Sequence, residues 1–403
     1  MTSDAGTPTS SLVSGDVRRH NLALILDHIA RSGPSARSEI AEATGLTRGS
    51  VTALTLLLTE AGVLRDGEPV AGGRGRPITR LELSADGIAI VAAQLDADEA
   101  VAVVTTLAGE EVYRAARHHG RPMGRPDAVL DVLADVLADA LAAAASAGRR
   151  IADLSVVVFA PVGGDPARVL ADTDLGWREV DVLGGLRARM PDLPGDPTLA
   201  SDATVAATAE FALMDGVRNA VYLKSDSGIG GALLSDGLLI GGAHGIGGSL
   251  GHIPIVPDGQ PCECGQHGCL VTVAGPDAIL AAAGLGERMA TEGLKAATAE
   301  LVRRIASGDP TAIAAWSFAE AWIARALQVF SMTLDPEVIV LGGYWAQLAP
   351  SIERAFRGNR PLVGGDGWNP DVRAGALGVE AALRGAIEAS RRRILSDPLR
   401  LAV

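Results

Sequence analysis

All three cysteines of this 403-residue chain, Cys262, Cys264 and Cys269, lie within eight residues, and His252 stands ten positions before the first of them. Three thiolates and one imidazole complete a tetrahedral zinc shell and leave no open coordination position. The spacing therefore predicts a structural zinc site, and cysteines used on metal predict a reducing cytoplasm. Three free buried cysteines are the alternative interpretation, and His267 inside the cluster competes with His252 as the fourth ligand.

Charge is distributed unevenly along the chain. Residues 1–80 hold nine arginines and eight acidic residues, whereas the rest holds the remaining 26 basic and 40 acidic residues. An acidic body with a near-neutral, arginine-bearing head fits DNA contact confined to the head, although acidity alone equally suits an ordinary soluble enzyme. The sequence contains no run of about 18 apolar residues, so a membrane span is not predicted.

The N-terminal region has the pattern of a winged helix-turn-helix domain over residues 16–83, after a disordered tail over 1–15. Apolar spacing predicts a first helix, which Asp16 would cap and Gly33-Pro34 would end. A second helix follows over 38–44, and Thr47 would cap the third, which is placed to read DNA. A three-helix packing module that touches no DNA is the alternative.

A hairpin is predicted between Val63-Leu64 and residues 78–81, with the glycine-rich sequence Gly-Gly-Arg-Gly-Arg-Pro at its tip. Arginines on such a tip suit the negative potential of a narrow minor groove. A mobile loop whose arginines are solvated is the alternative interpretation. The combination of three helices and a wing predicts binding to double-stranded DNA. The candidate DNA contacts are Arg37, Thr47, Arg48, Ser50, Thr52, Arg74 and Arg76.

Beyond Ile88, predicted helices alternate with buried strands, which indicates an α/β class. Asp202 follows one such strand, where a carboxylate can act as a general base or bind a ligand hydroxyl, but a helix N-cap explains it equally well. Ser227-Gly228-Ile229-Gly230-Gly231 follows another strand. Its backbone N–H groups could approach a phosphate, although a simple hairpin turn is the more common explanation.

Several motifs together resemble the ROK family of repressors, open reading frames and sugar kinases, from about residue 16 onward. They are Gly251-His252 followed by Cys262-x-Cys264-Gly265-x-x-Gly268-Cys269-Leu270, and Leu175-Gly176-Trp177, Asp202, Gly228-Ile229-Gly230 and residues 336–343. The resemblance implies an actin-like, ribonuclease H-like and sugar kinase-type two-lobed ATPase fold. It implies a small lobe over 84–200, rejoined by a helix over 378–403, and a zinc-bearing large lobe over 201–377.

Departures from the family pattern indicate lost catalysis. The Asp-x-Gly-Gly-Thr phosphate turn of family kinases reads Asp96-Ala97-Asp98-Glu99-Ala100 here, and Asp226-Ser227 replaces the Gly-Thr of the second turn. Carboxylates beside a triphosphate repel it. In the sugar site, a serine or valine stands where the family has asparagine or glutamate, at Ser201, Ser249 and Val271.

The resulting prediction is a catalytically inactive, zinc-containing DNA-binding regulator, a repressor that binds a palindromic operator as a homodimer or homotetramer. Asp202 would be vestigial in catalysis, and a sugar-like or other small effector would contact Ser201, Asp202, Ser249 and His252. Two alternatives stay open at this point. One is an ATP-dependent hexose kinase with a fused DNA-binding head, in which Asp202 is the base. The other is zinc-dependent hydrolysis, which needs an open metal position.

Overall fold

The computed structural model describes residues 14–68, 79–358 and 370–398. Three helices begin the described chain: α1 (Ser14–Ser32), α2 (Arg37–Thr44) and α3 (Arg48–Glu60). Two short strands follow, β1 (Leu64–Asp66) and β2 (Leu81–Leu83), and they pair antiparallel with Leu64 opposite Leu83. Together they form the fold expected of a winged helix-turn-helix head.

Two predictions for the head need correction. Asp16 does not cap α1, because the helix already includes Ser14 and Asp16 lies in its first turn. The two wing strands pair as a hairpin, as predicted. The second strand spans Leu81–Leu83, whereas the prediction placed it at residues 78–81. The predicted wing tip, with Arg74 and Arg76, lies outside the described residues.

Two five-stranded sheets form the body, and they share one topology. The first has the order β10-β6-β3-β4-β5 and the second the order β13-β12-β11-β14-β15. In each, a central strand starts an antiparallel meander on one side and pairs with parallel strands on the other. The first sheet contains β3 (Ile88–Leu95), β4 (Glu99–Thr106), β5 (Glu111–His118), β6 (Arg150–Val158) and β10 (Thr198–Ser201). The second contains β11 (Ala220–Ser225), β12 (Ile229–Ser235), β13 (Leu238–Leu239), β14 (Val338–Gly343) and β15 (Asp371–Ala374).

A third, three-stranded sheet joins β7 (Val162–Gly163), β8 (Arg168–Asp172) and β9 (Trp177–Val180). The helices that cover the sheets are α4 (Pro126–Ser146), α5 (Val182–Arg189), α6 (Asp202–Phe211), α7 (Val271–Ala274), α8 (Pro276–Ala282), α9 (Gly286–Glu292), α10 (Leu294–Ala306), α11 (Pro310–Leu334), α12 (Ala349–Arg357) and α13 (Ala381–Ser396). None of the helices in the described ranges has the length and apolar composition that a membrane span needs.

The hydrophobic cores show how these layers pack. One core lies between the first sheet and α4 and α5, and another between the second sheet and helices α7 to α12. A third contains side chains of both sheets together with α6 and α13. The predicted α/β class is confirmed, whereas the predicted lobe boundaries stay predictions.

The head shares a hydrophobic core with the body. Leu22 and Ile25 of α1 belong to the same buried cluster as Ile88 of β3 and Ile394 of α13. Arg19 of α1 also pairs with Asp397, just beyond α13, at 3.1 Å. The packing of α1 on α13 therefore connects the orientation of the head to the body.

Candidate metal centre and interlobe cleft

The four predicted metal ligands come together in space. One ligand atom from each of His252, Cys262, Cys264 and Cys269 lies within 4.8 Å of the others. The Sγ atoms of Cys264 and Cys269 are 3.6 Å apart, and Cys262 Sγ is 3.6 Å from His252 Nδ1. Zinc–sulfur bonds of about 2.3 Å in a tetrahedron place sulfurs about 3.8 Å apart. The cluster can therefore hold a metal ion of this kind.

The local backbone explains how ligands from two segments meet. His252 ends a short 3-10 helix, Leu250–His252, whose Gly251 packs so closely on Ile229 of β12 that a Cβ would contact the Ile229 carbonyl oxygen. Pro254 pairs with Cys269 across an isolated bridge. Gly268 has a φ of 71°, and a Cβ there would contact the Val256 carbonyl oxygen, so this turn needs glycine.

The imidazole is suited to bind a metal. Burial lowers the pKa of His252, which favours the neutral ring that coordinates metal ions. Gln266 Nε2 donates to the His252 carbonyl oxygen at 3.3 Å and fixes its backbone. His267, the competing ligand in the sequence, is exposed and is absent from the cluster of ligand atoms among the described residues.

The cleft lies where equivalent hairpin turns of the two sheets face each other. The turn between β3 and β4 carries Asp96 and Asp98, and the turn between β11 and β12 carries Asp226 and Ser227. Ser227 Oγ donates to Asp96 Oδ1 across the cleft. Asp98 Oδ2 accepts from the Leu294 backbone N–H at 2.8 Å, at the start of α10. The turn between β3 and β4 thus joins the two halves of the body.

A buried ammonium group lies beneath these turns. Lys224 Nζ is 2.6 Å from Asp202 Oδ2 and 2.9 Å from Asp226 Oδ2. The lysine side chain is only 6% exposed and that of Asp202 only 5%. Asp202 directly follows β10, as predicted, and is the first residue of α6. The N-cap position belongs to Ser201, so the N-cap interpretation of Asp202 is wrong.

These charges perturb one another strongly. Burial opposes the charge on Lys224, but Asp202 and then Asp226 outweigh it and hold the pKa of Lys224 well above its ordinary value. Burial raises the pKa of Asp202, against the attraction of Lys224. Burial likewise raises the pKa of Asp226 to about 6. One ammonium group therefore compensates two desolvated carboxylates only in part.

Two further acids line the same region. Burial raises the pKa of Asp172 to about 6, and burial together with Asp172 raises that of Asp174 to about 7. Asp174 lies beside the glycine turn, 3.6 Å from where a Cβ of Gly228 would stand. Arg121 is their nearest cation, 3.9 Å from Asp174. The cleft therefore contains more carboxyl groups than cations.

The remaining candidate residues occupy different places. Ser201 lies at the end of β10 next to Asp202, while Ser249 and His252 lie on the turn that packs on β12. Thr47 caps α3, as predicted, by accepting from the Ser50 N–H at 3.1 Å. Arg37 is half-buried and bonds within the head to Thr55 and Asp66.

The chain matches the ROK family over residues 91–392. It belongs to the ROK family. An N-acetylmannosamine kinase from Citrobacter koseri is 36% identical over 168 residues, which cover 40% of this chain and 56% of that protein. A glucokinase from Halalkalibacterium halodurans is 31% identical over 193 residues, 42% of this chain and 54% of that protein. The chain spans about half the length of the curated relatives it matches.

Solved structures show the fold over more of the ROK chain. A ROK family transcriptional regulator, a homolog of the E. coli MLC protein, superposes with a TM-score of 0.70 at 24% identity and covers 96% of this chain and 98% of its own. A ROK family glucokinase from Streptomyces griseus, in complex with glucose and AMPPNP, superposes with a TM-score of 0.61 at 23% identity. The match covers 75% of this chain and 99% of the glucokinase chain. The expected actin-like fold with an N-terminal helix-turn-helix is confirmed.

Sequence reasoning missed Lys224, Asp172, Asp174 and Arg121 as part of the cleft. A signal for the lysine was present, since Lys224 ends the apolar run Val221-Tyr222-Leu223 of a buried strand. A lysine is almost never fully buried unless it is paired, so its position implied acidic partners. The identity of those partners depends on how the two sheets face each other.

Proposed function

We propose that this ROK-family chain is a DNA-binding transcriptional repressor without kinase activity, which carries a structural zinc ion and responds to a small effector. The observation that carries the proposal is the buried contact of Lys224 with Asp202 and Asp226. A sugar kinase of this fold would need a free carboxylate base and an open phosphate turn at this place. Here the Lys224 ammonium group pairs with the carboxylate at the base position and with Asp226 in the turn between β11 and β12.

The hydrogen bonds of Asp202 support the absence of catalysis. A general base must have an oxygen within reach of the proton that it removes. Oδ1 of Asp202 accepts from the Ala203 N–H at 2.5 Å, and Oδ2 is paired with Lys224. In addition, Asp98 and Glu99 stand where the phosphate turn of family kinases has glycines, and their charge would repel a triphosphate.

The head supports DNA binding. Arg48, Thr47 and Thr52 lie exposed on the first turns of α3, the helix that would enter the major groove. Arg48 forms no ion pair within the described parts of the chain, so its charge is available for phosphate or base contacts. A symmetric dimer or tetramer would present two such helices to the half-sites of a palindrome.

A continuous set of contacts supports control of the head by the cleft. Asp202 begins α6, and a Cβ on Gly385 of α13 would touch the carbonyl oxygen of Val205 in α6. Helix α13 in turn packs on α1 of the head. An effector that binds one arrangement of the cleft better than another would shift α6, and through α13 the placement of the head.

A zinc ion would be held by His252, Cys262, Cys264 and Cys269. Its role would be to fix the conformation of this turn, not to catalyse a reaction. With four protein ligands the ion has no position for a reacting water, which argues against zinc-dependent hydrolysis. The 3-10 helix that carries His252 packs on β12, and β12 pairs with the strand of Lys224. The metal would therefore keep the second cleft turn in place.

The proposal is tested with the full chain and an operator selected from random duplexes by the protein itself. Fluorescence anisotropy should show binding that weakens steeply as salt increases. Arg48→Ala should weaken binding at least about fivefold, since such contacts contribute about 1–3 kcal/mol. Arg31→Ala is the matched control, because Arg31 is an exposed head arginine already paired with Asp27. Full binding by both Arg48→Ala and Arg74→Ala/Arg76→Ala would overturn the proposal.

The kinase alternative has its own assay. Release of ADP from ATP is measured with a panel of hexoses and amino sugars, for the native chain and for Asp202→Asn. We expect no sugar-dependent ADP from either protein. Sugar-dependent ADP that disappears in Asp202→Asn would establish the kinase instead.

A further inference from the structure

A small cavity of about 60 Å³ lies between the two halves of the body, beside the turn that joins β3 to β4. We call it the interlobe cavity; side chains that line it include Gln94, Asp96, Glu99, Val101, Glu380 and Leu383. Its volume corresponds to roughly four water-sized positions. A group of about four to six non-hydrogen atoms therefore matches it.

Gln94 indicates that the interlobe cavity has an occupant. Its side chain lies on β3, is only 8% exposed and lines the cavity. Its amide has no hydrogen-bond partner within the described part of the chain. Because the amide lines the cavity and is not hydrogen-bonded to the described residues, it is free to bond a molecule there.

The charged side chains around the cavity indicate the sign of the charge that a ligand would carry. Five carboxylates line it, those of Asp96, Asp98, Glu99, Asp226 and Glu380, against the two cations Arg114 and Lys295. Arg114 is already engaged, since its Nη2 bonds Glu111 and Glu380 at 2.9 Å each. Asp226 pairs with Lys224, but that ammonium group is shared with Asp202, so the carboxylates at the cavity still outnumber the cations.

Glu99 is the carboxylate of this set that accepts no hydrogen bond from the described residues, whereas Asp96, Asp98, Asp226 and Glu380 each accept one. It is 17% exposed, and its partner Lys295 lies 3.9 Å away with 69% of its own side chain exposed. Burial raises the pKa of Glu99, and the attraction of Lys295 only partly opposes that increase. A bound cation at this carboxylate would replace the water that burial has removed.

Apolar side chains complete the wall and separate two kinds of cation. Val101, Leu294, Val379 and Leu383 line the remaining surface. A hydrated divalent metal would need oxygen ligands all round, whereas an organic cation presents methylene groups to such a wall. A triphosphate or phosphosugar would bring more negative charge to a site that already has too much.

We propose that the interlobe cavity binds a small organic ammonium ion, with the ammonium group at Glu99, methylenes on Val101 and Leu383, and a second hydrogen-bonding group at Gln94. The effector of the proposed repressor would then be an amine rather than a hexose or a phosphosugar. That consequence rests on the proposed function, but the binding site itself does not. The cavity touches both halves of the body, so its occupant would bias their relative placement.

The test is isothermal titration calorimetry of the full chain with 1,4-diaminobutane and with its neutral counterpart 1,4-butanediol, at fixed ionic strength. We expect the diamine to bind at least about tenfold more tightly than the diol, because the diol brings no positive charge to pair with the Glu99 carboxylate. Glu99→Gln and Gln94→Leu should each weaken the diamine at least about tenfold. Glu353→Gln, on α12 away from the cavity, is the matched control and should bind as the native chain does.

Thermal unfolding of each variant is recorded first, so that weakened binding is not confused with a misfolded protein. Equal binding of diamine and diol, no binding of either, or diamine binding unchanged in both Glu99→Gln and Gln94→Leu would overturn the inference. Displacement of the diamine by Mg²⁺ or Ca²⁺ at matched ionic strength would identify a metal site instead and also overturn it. Operator binding is measured separately: DNA binding without amine binding refutes this inference alone, and amine binding without DNA binding refutes the repressor alone.

Discussion

Replacing Lys224 by methionine should destabilise the fold strongly while keeping the volume of the side chain. The ammonium group lies 2.6 Å from Asp202 and 2.9 Å from Asp226, and its side chain is 6% exposed. Methionine keeps the aliphatic part of the lysine but leaves two desolvated carboxylates next to each other. Breaking a buried pair by removing one partner costs about 3–5 kcal/mol, a large part of a typical folding free energy.

The pH dependence distinguishes charge from packing. Burial raises the pKa of Asp226 to about 6 with Lys224 present, and the loss of Lys224 should raise it further. An acid whose folded pKa lies above its unfolded value of about 3.9 loses stability as pH increases from that value through the folded pKa. The difference in unfolding free energy between native and variant should therefore be small near pH 5 and grow above about pH 6.

The assay is guanidinium denaturation followed by circular dichroism and tryptophan fluorescence, at pH 5 and pH 8. Lys224→Met/Asp202→Asn should recover part of the loss, because it removes one of the two uncompensated charges. Arg31→Met, which breaks the exposed pair with Asp27, should cost only about 0.3–0.5 kcal/mol. A loss below about 1 kcal/mol at pH 8, or one that does not change with pH, would refute the reasoning.

Three further predictions concern the metal, the nucleotide and one helix contact. Cys264→Ser should lose the zinc ion, whereas His267→Asn should retain about one zinc ion per chain. The zinc content is measured by plasma mass spectrometry on protein purified without added metal, and equal zinc in both variants would contradict the ligand set. ATP with Mg²⁺ should leave the melting temperature unchanged, since the cleft already carries excess negative charge, and an increase that depends on ATP concentration would show that the phosphate turn still works. Gly385→Ala should destabilise by about 1–3 kcal/mol despite the better helix propensity of alanine, because the new Cβ would contact the Val205 carbonyl oxygen. Gly286→Ala, with open space at its Cβ position, is its control in thermal unfolding, and equal behaviour of the two would contradict the close packing of α6 on α13.

Local signals in the sequence predicted the parts of this fold that depend on neighbouring residues. The apolar run at 154–159, the cap at Thr47 and the spacing of the cysteines each identify their element without reference to the rest of the chain. The lobe contacts are different, because Asp96 and Ser227 stand 131 residues apart and meet only when the two sheets face each other. The same holds for Gln94, which looks like one polar residue in a buried strand until the cavity beside it is seen.

The residues that depart from the kinase pattern each contact another part of the structure. Asp98 bonds the first N–H of α10, where a carboxylate also interacts favourably with the helix dipole. Ser227 donates to Asp96, which the kinase pattern also has, and Asp226 pairs with Lys224. The substituted residues Asp98, Asp226 and Ser227 thus each make a contact within or between the two halves of the body. In the proposed regulator, these contacts would join the two halves without a nucleotide, and a smaller ligand would adjust their placement.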